Sequence, residues 1–150
     1  MSSDPHQVFE DFLSEQGGRY TKTKRFIASE VFSLSEHFEV ESFIDHLRVK
    51  TKDVSRATVY RTVKQLLEAG LLQKLATRDG KVYYEQSRPQ KEHAHVICSD
   101  CGKIFEIHDK KIRKMLSDHC KTMNFKVTYQ SVHLYAECQV KDSCEHLSNA

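Results

Sequence analysis

Residues 55–70 read SRATVYRTVKQLLEAG and carry the clearest helix signal in the chain. Ser55 is a favoured N-cap residue, and Gly70 is typical of the position just past a helix end. Apolar residues between them recur at helical spacing, which predicts one buried stripe along the helix. The stripe residues are Val59, Val63, Leu66 and Leu67.

The opposite face of this predicted helix suits a nucleic acid. On a helical wheel Ala57, Arg61 and Lys64 point away from the stripe, and Tyr60 lies on the flank. Arginine can bind a guanine edge through two hydrogen bonds, lysine neutralises phosphate, and tyrosine or threonine can touch a thymine methyl group. The net charge of the whole chain, +2, decides nothing about partners, but positive charge is concentrated here. The local basic residues, opposed by Asp53 alone, are Arg48, Lys50, Lys52, Arg56, Arg61 and Lys64.

The neighbouring elements favour DNA binding over a charged face that is merely solvated. A β-hairpin is predicted directly after Gly70, because two strand-like runs flank the turn sequence Arg78-Asp79-Gly80. Upstream, apolar residues at helical spacing occur in residues 6–16, 22–34 and 40–49. Three or four short helices followed by a hairpin describe a winged-helix domain, which we place at residues 1–86. Arg19, after the first predicted helix, is a second candidate contact to phosphate or to the minor groove, or else an ordinary surface arginine.

The rest of the chain predicts a second, smaller domain. Residues 87–91 are polar and include Pro89, so we expect a hinge there. Residues 92–150 are few for an independent core, so this αβ domain requires a metal, a partner subunit or both. Its predicted elements are strands at 93–98 and 103–107, a helix at 109–123 and a strand at 125–137. The predicted fold class is therefore α+β, a winged-helix DNA-binding domain followed by a small αβ dimerisation domain.

Composition excludes several classes of protein. No apolar run among the 150 residues approaches the about 18 that a membrane span requires. The first seven residues lack the basic and apolar regions of a secretory signal, so we expect a cytoplasmic protein without membrane contact. With 5 glycines and 2 prolines the chain is neither fibrous nor disordered. Its 5 cysteines, an odd number, favour metal ligation over disulfides in a reducing compartment.

Two pairs of cysteines suggest a structural zinc site. Cys98 and Cys101 are separated by two residues, so their thiolates can bind one zinc while Gly102 permits a tight turn. Cys138 and Cys144, with five residues between them, could complete a tetrahedral site of four thiolates. Their wider spacing supports this interpretation less strongly, and buried structural cysteines are the alternative.

A second candidate site consists of histidines and carboxylates. His93 and His95 alternate on a predicted strand and therefore share a face, and Glu106 ends the next strand. His37 and Glu85 come from the first domain. Three imidazoles and two carboxylates suit iron(II), manganese(II) or zinc(II). Taken singly, each of these residues is better explained as a solvated polar side chain, and sequence spacing does not show that they meet.

Three segments together resemble the ferric uptake regulator family. They are GGRYT at residues 17–21, SRATVYRTVKQL at 55–66 and HAHVICSDCGKIFE at 93–106. The resemblance runs from about residue 8 to Cys144. It implies a homodimeric, metal-activated repressor that binds a near-palindromic operator in double-stranded DNA.

The resemblance also implies residue roles. The structural Zn²⁺ falls on Cys98, Cys101, Cys138 and Cys144. The regulatory ion, Fe²⁺ or Mn²⁺ with Zn²⁺ as a further option, falls on His37, Glu85, His93, His95 and Glu106. The DNA-binding residues are Arg19, Ser55, Arg56, Ala57, Thr58, Tyr60, Arg61 and Lys64. An additional metal site found in some members is predicted to be absent, because Ala94, Arg113 and Gln130 occupy its ligand positions.

An ion bound by residues of both domains would hold them in one relative orientation across the hinge.

We expect a ferrous-iron-responsive repressor of metal-uptake genes. Peroxide sensing through bound iron is the first alternative, and it is disfavoured because Glu85 and Glu106 carry longer side chains than the aspartates of the peroxide-sensing branch. Manganese or zinc sensing, a purely structural zinc protein and a hydrolytic metalloenzyme are the others. No nucleophile–base pair or glycine-rich phosphate loop supports an enzyme.

Overall fold

The computed structural model describes residues 4–76, 80–87, 93–128 and 130–143. They fall into two compact units, the first within Met1–Ala76 and Val82–Ser87, the second within Thr77–Lys81 and Arg88–Ala150. The described residues form five helices, two small sheets and a 3-10 turn, so the predicted α+β class is confirmed. The segment 88–92, which contains most of the expected hinge, lies outside the described residues.

The first unit contains four helices. They are α1 (Pro5–Glu15), α2 (Lys22–Ser33), α3 (Val40–Lys50) and α4 (Arg56–Glu68). Ser55 caps α4 as the sequence predicts, because its Oγ accepts a hydrogen bond from the backbone N–H of Thr58 at 3.2 Å. The buried stripe is also confirmed, since Val59, Val63 and Leu66 are at most 2% exposed. Helix α4 therefore turns its opposite face to solvent.

One polar residue is buried within the α4 stripe. Thr62 is fully buried, and its hydroxyl donates to the backbone oxygen of Thr58 at 2.8 Å, so no hydrogen-bonding capacity is lost there. Around it the core collects apolar side chains from all four helices and the first strand. This cluster comprises Phe9, Leu13, Ile27, Ala28, Val31, Val40, Phe43, Ile44, Leu47, Val59, Val63, Leu66 and Leu72.

The predicted hairpin forms directly after α4. Strands β1 (Leu72–Ala76) and β2 (Val82–Gln86) are antiparallel, with Leu72 opposite Gln86. Of the predicted turn, Gly80 is described and has a φ of 83°, whereas Arg78 and Asp79 lie outside the described residues. The hairpin is the wing of the predicted winged helix.

Two further interactions fasten β2 to the helices. Phe38 and Tyr84 exchange backbone N–H···O hydrogen bonds of 2.8 Å each, so the α2–α3 connection pairs with β2. The side-chain amide of Gln86 faces the backbone oxygens of Val31, Phe32 and Leu34 at 3.0, 3.1 and 2.5 Å. Carbonyls at a helix end have no partner within the helix, so the Gln86 amide adds donors at the end of α2, where the oxygen of Val31 also accepts the backbone N–H of Leu34 at 3.1 Å.

The second unit is a three-stranded sheet with one helix. The central strand β3 (Ala94–Cys98) is antiparallel to β4 (Ile104–Ile107) and parallel to β5 (Val132–Ala136). Helix α5 (Lys110–Thr122) connects β4 to β5, as a parallel pairing requires.

The prediction of a long last strand over 125–137 is wrong. Of the residues that the structure describes in this stretch, 125–128 and 130–137, only Val132–Ala136 forms β5, because β3 offers five residues and its pairing with β5 uses all of them. The chain also reverses at Asn124, whose φ is 62°, and the N–H of Phe125 returns to the oxygen of Cys120 at 2.9 Å. This is helix-terminating geometry, and the alternation of apolar residues that follows it has no sheet to join.

Many large apolar side chains of the second unit are exposed in the single chain. No side chain of α5 is buried. The exposed large apolar residues of this unit are Phe105, Met115, Leu116, Met123, Phe125, Leu134, Tyr135 and Val140. Among the described helices, none combines the length and apolar character needed to cross a membrane.

The Gln86 contact gives a stability prediction. Gln86→Met keeps the length of the side chain but removes the amide that faces three carbonyls at the end of α2. The oxygen of Val31 keeps the backbone N–H of Leu34, so the loss is partial and the free energy of unfolding should fall by about 1–3 kcal/mol. Urea unfolding followed by circular dichroism measures the loss. Gln16→Met, at an exposed position after α1, is the control and should change little. Equal midpoints for both variants would contradict this role.

Candidate metal centre and nucleic-acid interface

Three of the predicted regulatory ligands meet on the sheet of the second unit. His95 on β3 lies opposite Glu106 on β4, and His93 immediately precedes β3. One ligand atom from each lies within 4.8 Å of the others. His93 Nε2 is 3.4 Å from Glu106 Oε1, and the two imidazole rings are 4.5 Å apart, edge to face. Adjacent strands thus bring two nitrogens and a carboxylate to one point.

This donor set fits a first-row divalent ion. Two imidazoles with one carboxylate are typical of sites for iron(II) and related metals that leave coordination positions open. His95 is 1% exposed, and the His93 side chain is 6% exposed, so an ion there would be largely removed from water. The carboxylate of Glu106 is more open, with 41% of its side chain exposed.

Two further histidines surround this cluster, and the sequence analysis missed both. His108 Nε2 lies 3.2 Å from the second oxygen of Glu106, and its ring is 5.0 Å from that of His93. His133 on β5 is the register partner of His95, with ring centroids 5.4 Å apart. His108 could have been predicted, because residues two apart on an extended chain share a face and Glu106 was already a candidate ligand. His133 could be found only by knowing that β5 pairs with β3.

The other two predicted regulatory ligands belong to the first unit. His37 lies beside the wing, where its ring meets that of Tyr83 edge to face at 5.2 Å. Glu85 lies on β2, is only 6% exposed, and accepts a hydrogen bond from the side-chain amide of Gln73 at 2.7 Å. A carboxylate this deeply buried needs a polar partner, which Gln73 provides.

The cysteine turn of the second unit has the geometry of a metal knuckle. Cys98 ends β3, and its oxygen accepts a hydrogen bond from the N–H of Gly102 at 2.9 Å. Gly102 has a φ of 72°, a conformation that glycine adopts without strain. The pKa of the Cys98 thiol is lowered, chiefly because the backbone N–H of Cys101 donates to its sulfur. A lowered pKa favours the thiolate, which is the form that binds zinc.

Cys138 is tied to this turn through Asp100. Its backbone N–H donates to Asp100 Oδ2 at 2.7 Å, and Lys141 contacts the other oxygen at 3.0 Å. Among the described residues, the thiols do not form a group of three within 4.8 Å. The fourth predicted ligand, Cys144, lies outside the described residues, and Cys120 is half-buried on α5.

The three positions where the additional metal site of some family members would need ligands line one small cavity. Ala94, Arg113 and Gln130 face it together with His93 and Asp109. Arg113 brings a guanidinium, which is a cation with donors only and cannot ligate a metal. The absence of a metal site here stays a prediction.

The predicted DNA-binding residues of the first unit are mostly on its surface. Ser55, Arg56, Ala57, Tyr60, Arg61 and Lys64 on or beside α4 are exposed, as is Arg19 after α1. Thr58 is half-buried, and its hydroxyl lies 2.8 Å from Ser55 Oγ, so these two side chains serve the helix cap. On α4 the exposed residues that remain are Arg56, Ala57, Tyr60, Arg61 and Lys64.

One acidic residue contacts this face and was not found from the sequence. Glu41, in the first turn of α3, accepts hydrogen bonds from Arg56 Nη2 and from the hydroxyl of Tyr60, both at its Oε1. These hydrogen bonds lower the pKa of Glu41, with Tyr60 as the largest cause and Arg56 next among the favourable contacts. The contact joins different helices, so periodicity gives no sign of it.

Known proteins resemble this chain over most of its length. Residues 15–135 match the profile of the Ferric uptake regulator family. The ferric uptake regulation protein of Haemophilus ducreyi is 33% identical over 110 residues, 73% of each chain. A solved structure of the ferric uptake regulator from Pseudomonas aeruginosa with manganese superposes with a TM-score of 0.75 at 26% identity, covering 88% of this chain and 98% of that one. A zinc-bound manganese uptake regulator gives 0.56 at 27% identity, covering 87% and 98%.

The cysteine turn gives a prediction about zinc. Cys98→Ser should remove about one tightly bound zinc per chain and weaken the folded second unit, because a structural metal contributes folding free energy directly. Elemental analysis of the purified protein measures the metal. Cys120→Ser removes a thiol outside the turn and should leave zinc content unchanged. Full zinc in Cys98→Ser would exclude this turn as a ligand.

Proposed function

Since the chain belongs to the ferric uptake regulator family, we propose that ferrous iron is the ion to which it responds. Members of this family are metal-responsive DNA-binding transcriptional regulators and not enzymes, and the protein is one of them. The observation that carries the proposal is the meeting of His93, His95 and Glu106, a ligand set typical of iron(II). The bound ion would activate repression of metal-uptake genes.

The proposed regulatory site also uses His37 and Glu85 from the winged-helix domain. Glu85 lies on β2, and the ring of His37 contacts Tyr83 of the same strand. An ion that binds ligands from both domains favours the one relative orientation in which all of them reach it. A shift from mostly open to mostly closed requires about 5 kcal/mol of differential binding. A site with several charged and imidazole ligands can supply it.

The proposed domain limits are 1–86 for DNA binding, 87–91 for the hinge and 92–150 for metal binding and dimerisation. The second domain would hold the structural zinc through Cys98, Cys101, Cys138 and Cys144. Support comes from the turn at Cys98 and from the hydrogen bond between Cys138 and Asp100. Zinc would compensate for the small core of this domain.

The proposed DNA interface is the exposed face of α4 with Arg19. It comprises Arg19, Ser55, Arg56, Ala57, Thr58, Tyr60, Arg61 and Lys64. We propose a homodimer formed through the exposed apolar side chains of the second unit, because a second copy would cover them. Two recognition helices related by two-fold symmetry would fit successive major grooves of a near-palindromic operator. A repressor of this kind works in the cytoplasm, where the chromosome lies.

Two other signals remain specific alternatives. Manganese or zinc sensing is favoured by similarity to the regulator with manganese and to the zinc-bound manganese uptake regulator. Peroxide sensing would use the same ligand positions with bound iron. Both carboxylates here are glutamates, and the added methylene changes where each oxygen meets the ion.

The iron proposal is tested by anaerobic DNA-binding titrations. Duplexes enriched from a randomised library serve as the operator, and affinity is measured with Fe²⁺, Mn²⁺ or Zn²⁺. Fe²⁺ should increase affinity, and His93→Ala should lower that increase by about tenfold or more. His119→Ala, an exposed histidine on α5, is the control. A response to Mn²⁺ or Zn²⁺ but not to Fe²⁺ would reject iron as the signal.

Peroxide sensing is tested with iron-loaded protein and stoichiometric hydrogen peroxide. The wild type should keep its DNA binding, and sensitivity should appear in Glu85→Asp, because the shorter carboxylate changes access to the iron. DNA binding and intact mass are followed together. Rapid loss of binding, with the mass of one oxygen atom added to His37 or His93, would replace the iron proposal by peroxide sensing.

A further inference from the structure

We propose that Glu41 is a positioning residue that determines how Tyr60 contacts DNA. Its carboxylate accepts the hydrogen bond that the Tyr60 hydroxyl can donate and thereby directs this tyrosine to base edges and away from the phosphate backbone. The proposal rests on the proposed DNA-binding role of α4. It assigns a sequence-discriminating function to a residue of α3 that need not touch DNA itself.

The geometry places three side chains in mutual contact on the exposed surface. One oxygen of Glu41 accepts from both Arg56 and Tyr60. The guanidinium carbon of Arg56 lies 5.5 Å from the centre of the Tyr60 ring, within the range of a cation–π contact. The tyrosine is therefore held at its hydroxyl by α3 and at its ring by the first turn of α4.

A tyrosine hydroxyl has a single proton to donate. When that proton is hydrogen-bonded to a carboxylate, the tyrosine oxygen can only accept further hydrogen bonds. Phosphate oxygens are also acceptors, so Tyr60 held by Glu41 has no hydrogen bond to offer the DNA backbone. Base edges in the major groove do present suitable groups: adenine and cytosine amino donors for the oxygen, and the thymine methyl for the ring. Glu41 thus selects contacts that depend on sequence.

The interaction persists at neutral pH. Hydrogen bonds from Tyr60 and Arg56 lower the pKa of Glu41, so its carboxylate is ionised there. Hydrogen bonds to an ionised acceptor are stronger than neutral ones, which favours retention of this arrangement when DNA approaches. Loss of Glu41 would free both the hydroxyl of Tyr60 and the guanidinium of Arg56 to bind phosphate.

A matched control on the same helix separates the loss of one negative charge from the loss of the Glu41 hydrogen bonds. Asp45 is also an exposed acid of α3, and its nearest ion-pair contact is Arg48 at 3.9 Å. Asp45→Ala therefore removes the same unit of negative charge about one helical turn from Glu41, at a residue whose ion pair is with Arg48 and not with Arg56. Both variants should strengthen electrostatic attraction to any DNA.

The experiment measures affinity for two duplexes under anaerobic conditions, with protein loaded with Fe²⁺, the proposed regulatory ion. One duplex is enriched by the wild type from a randomised library, and the other is a scrambled sequence of the same composition. Glu41→Ala should bind the scrambled duplex more tightly and lower the ratio of the two affinities by about five- to tenfold. Asp45→Ala should tighten both and leave the ratio unchanged. Equal ratios for the two variants would overturn the proposal.

The contribution of the tyrosine is isolated in an Arg56→Ala background. There Glu41→Ala should still lower the affinity ratio, because the hydroxyl of Tyr60 is released. With Tyr60→Phe added, the same substitution should change the ratio by less than about twofold. An effect that is independent of the hydroxyl would overturn the proposal. A wild type that enriches no duplex would instead contradict the proposed function, so the two failures are distinct.

Discussion

Strand β2 is bonded to the helical part of its unit at two residues, Tyr84 and Gln86. The placement of Glu85 and His37 follows from these two contacts. Tyr84 exchanges backbone hydrogen bonds with Phe38, and two residues later the Gln86 amide meets the carbonyls at the end of α2. Side chains alternate along a strand, so Glu85, between these two residues, points to the other face. There its carboxylate accepts a hydrogen bond from the side-chain amide of Gln73. The pairing at Phe38 also leaves His37 against the wing.

The fold followed from the sequence wherever its signals are local. The stripe on α4, its serine cap and the hairpin after Gly70 depend on residues within a few positions of each other, and all three are present. The antiparallel pairing of β3 with β4 also follows from a local signal, two short strands joined by a tight turn. Which residues lie opposite each other depends on the register, so the meeting of His95 with Glu106 was a hypothesis that only the structure could test.

What the sequence could not provide depends on contacts between distant segments. The length of β5 is set by its partner β3, so the apolar alternation that begins at Phe125 was misleading. His133 reaches the histidine cluster only through that same parallel pairing. Glu41 joins Arg56 and Tyr60 across the α3–α4 packing, where neither spacing nor charge pattern indicates a contact.

Strand β3 carries ligands of both proposed metal sites, the structural zinc and the regulatory ion. His95 and Cys98 are three residues apart on it, a distance of about 10 Å along extended chain. If both proposed sites bind their ions, one short strand carries ligands of each, and the two occupancies would be thermodynamically linked. An ion that orders the strand at one end would lower the entropic cost of binding at the other, and the benefit would be reciprocal. Zinc at the knuckle would then contribute to the affinity for the regulatory ion. The zinc status of a cell would in this way set the threshold at which it registers iron.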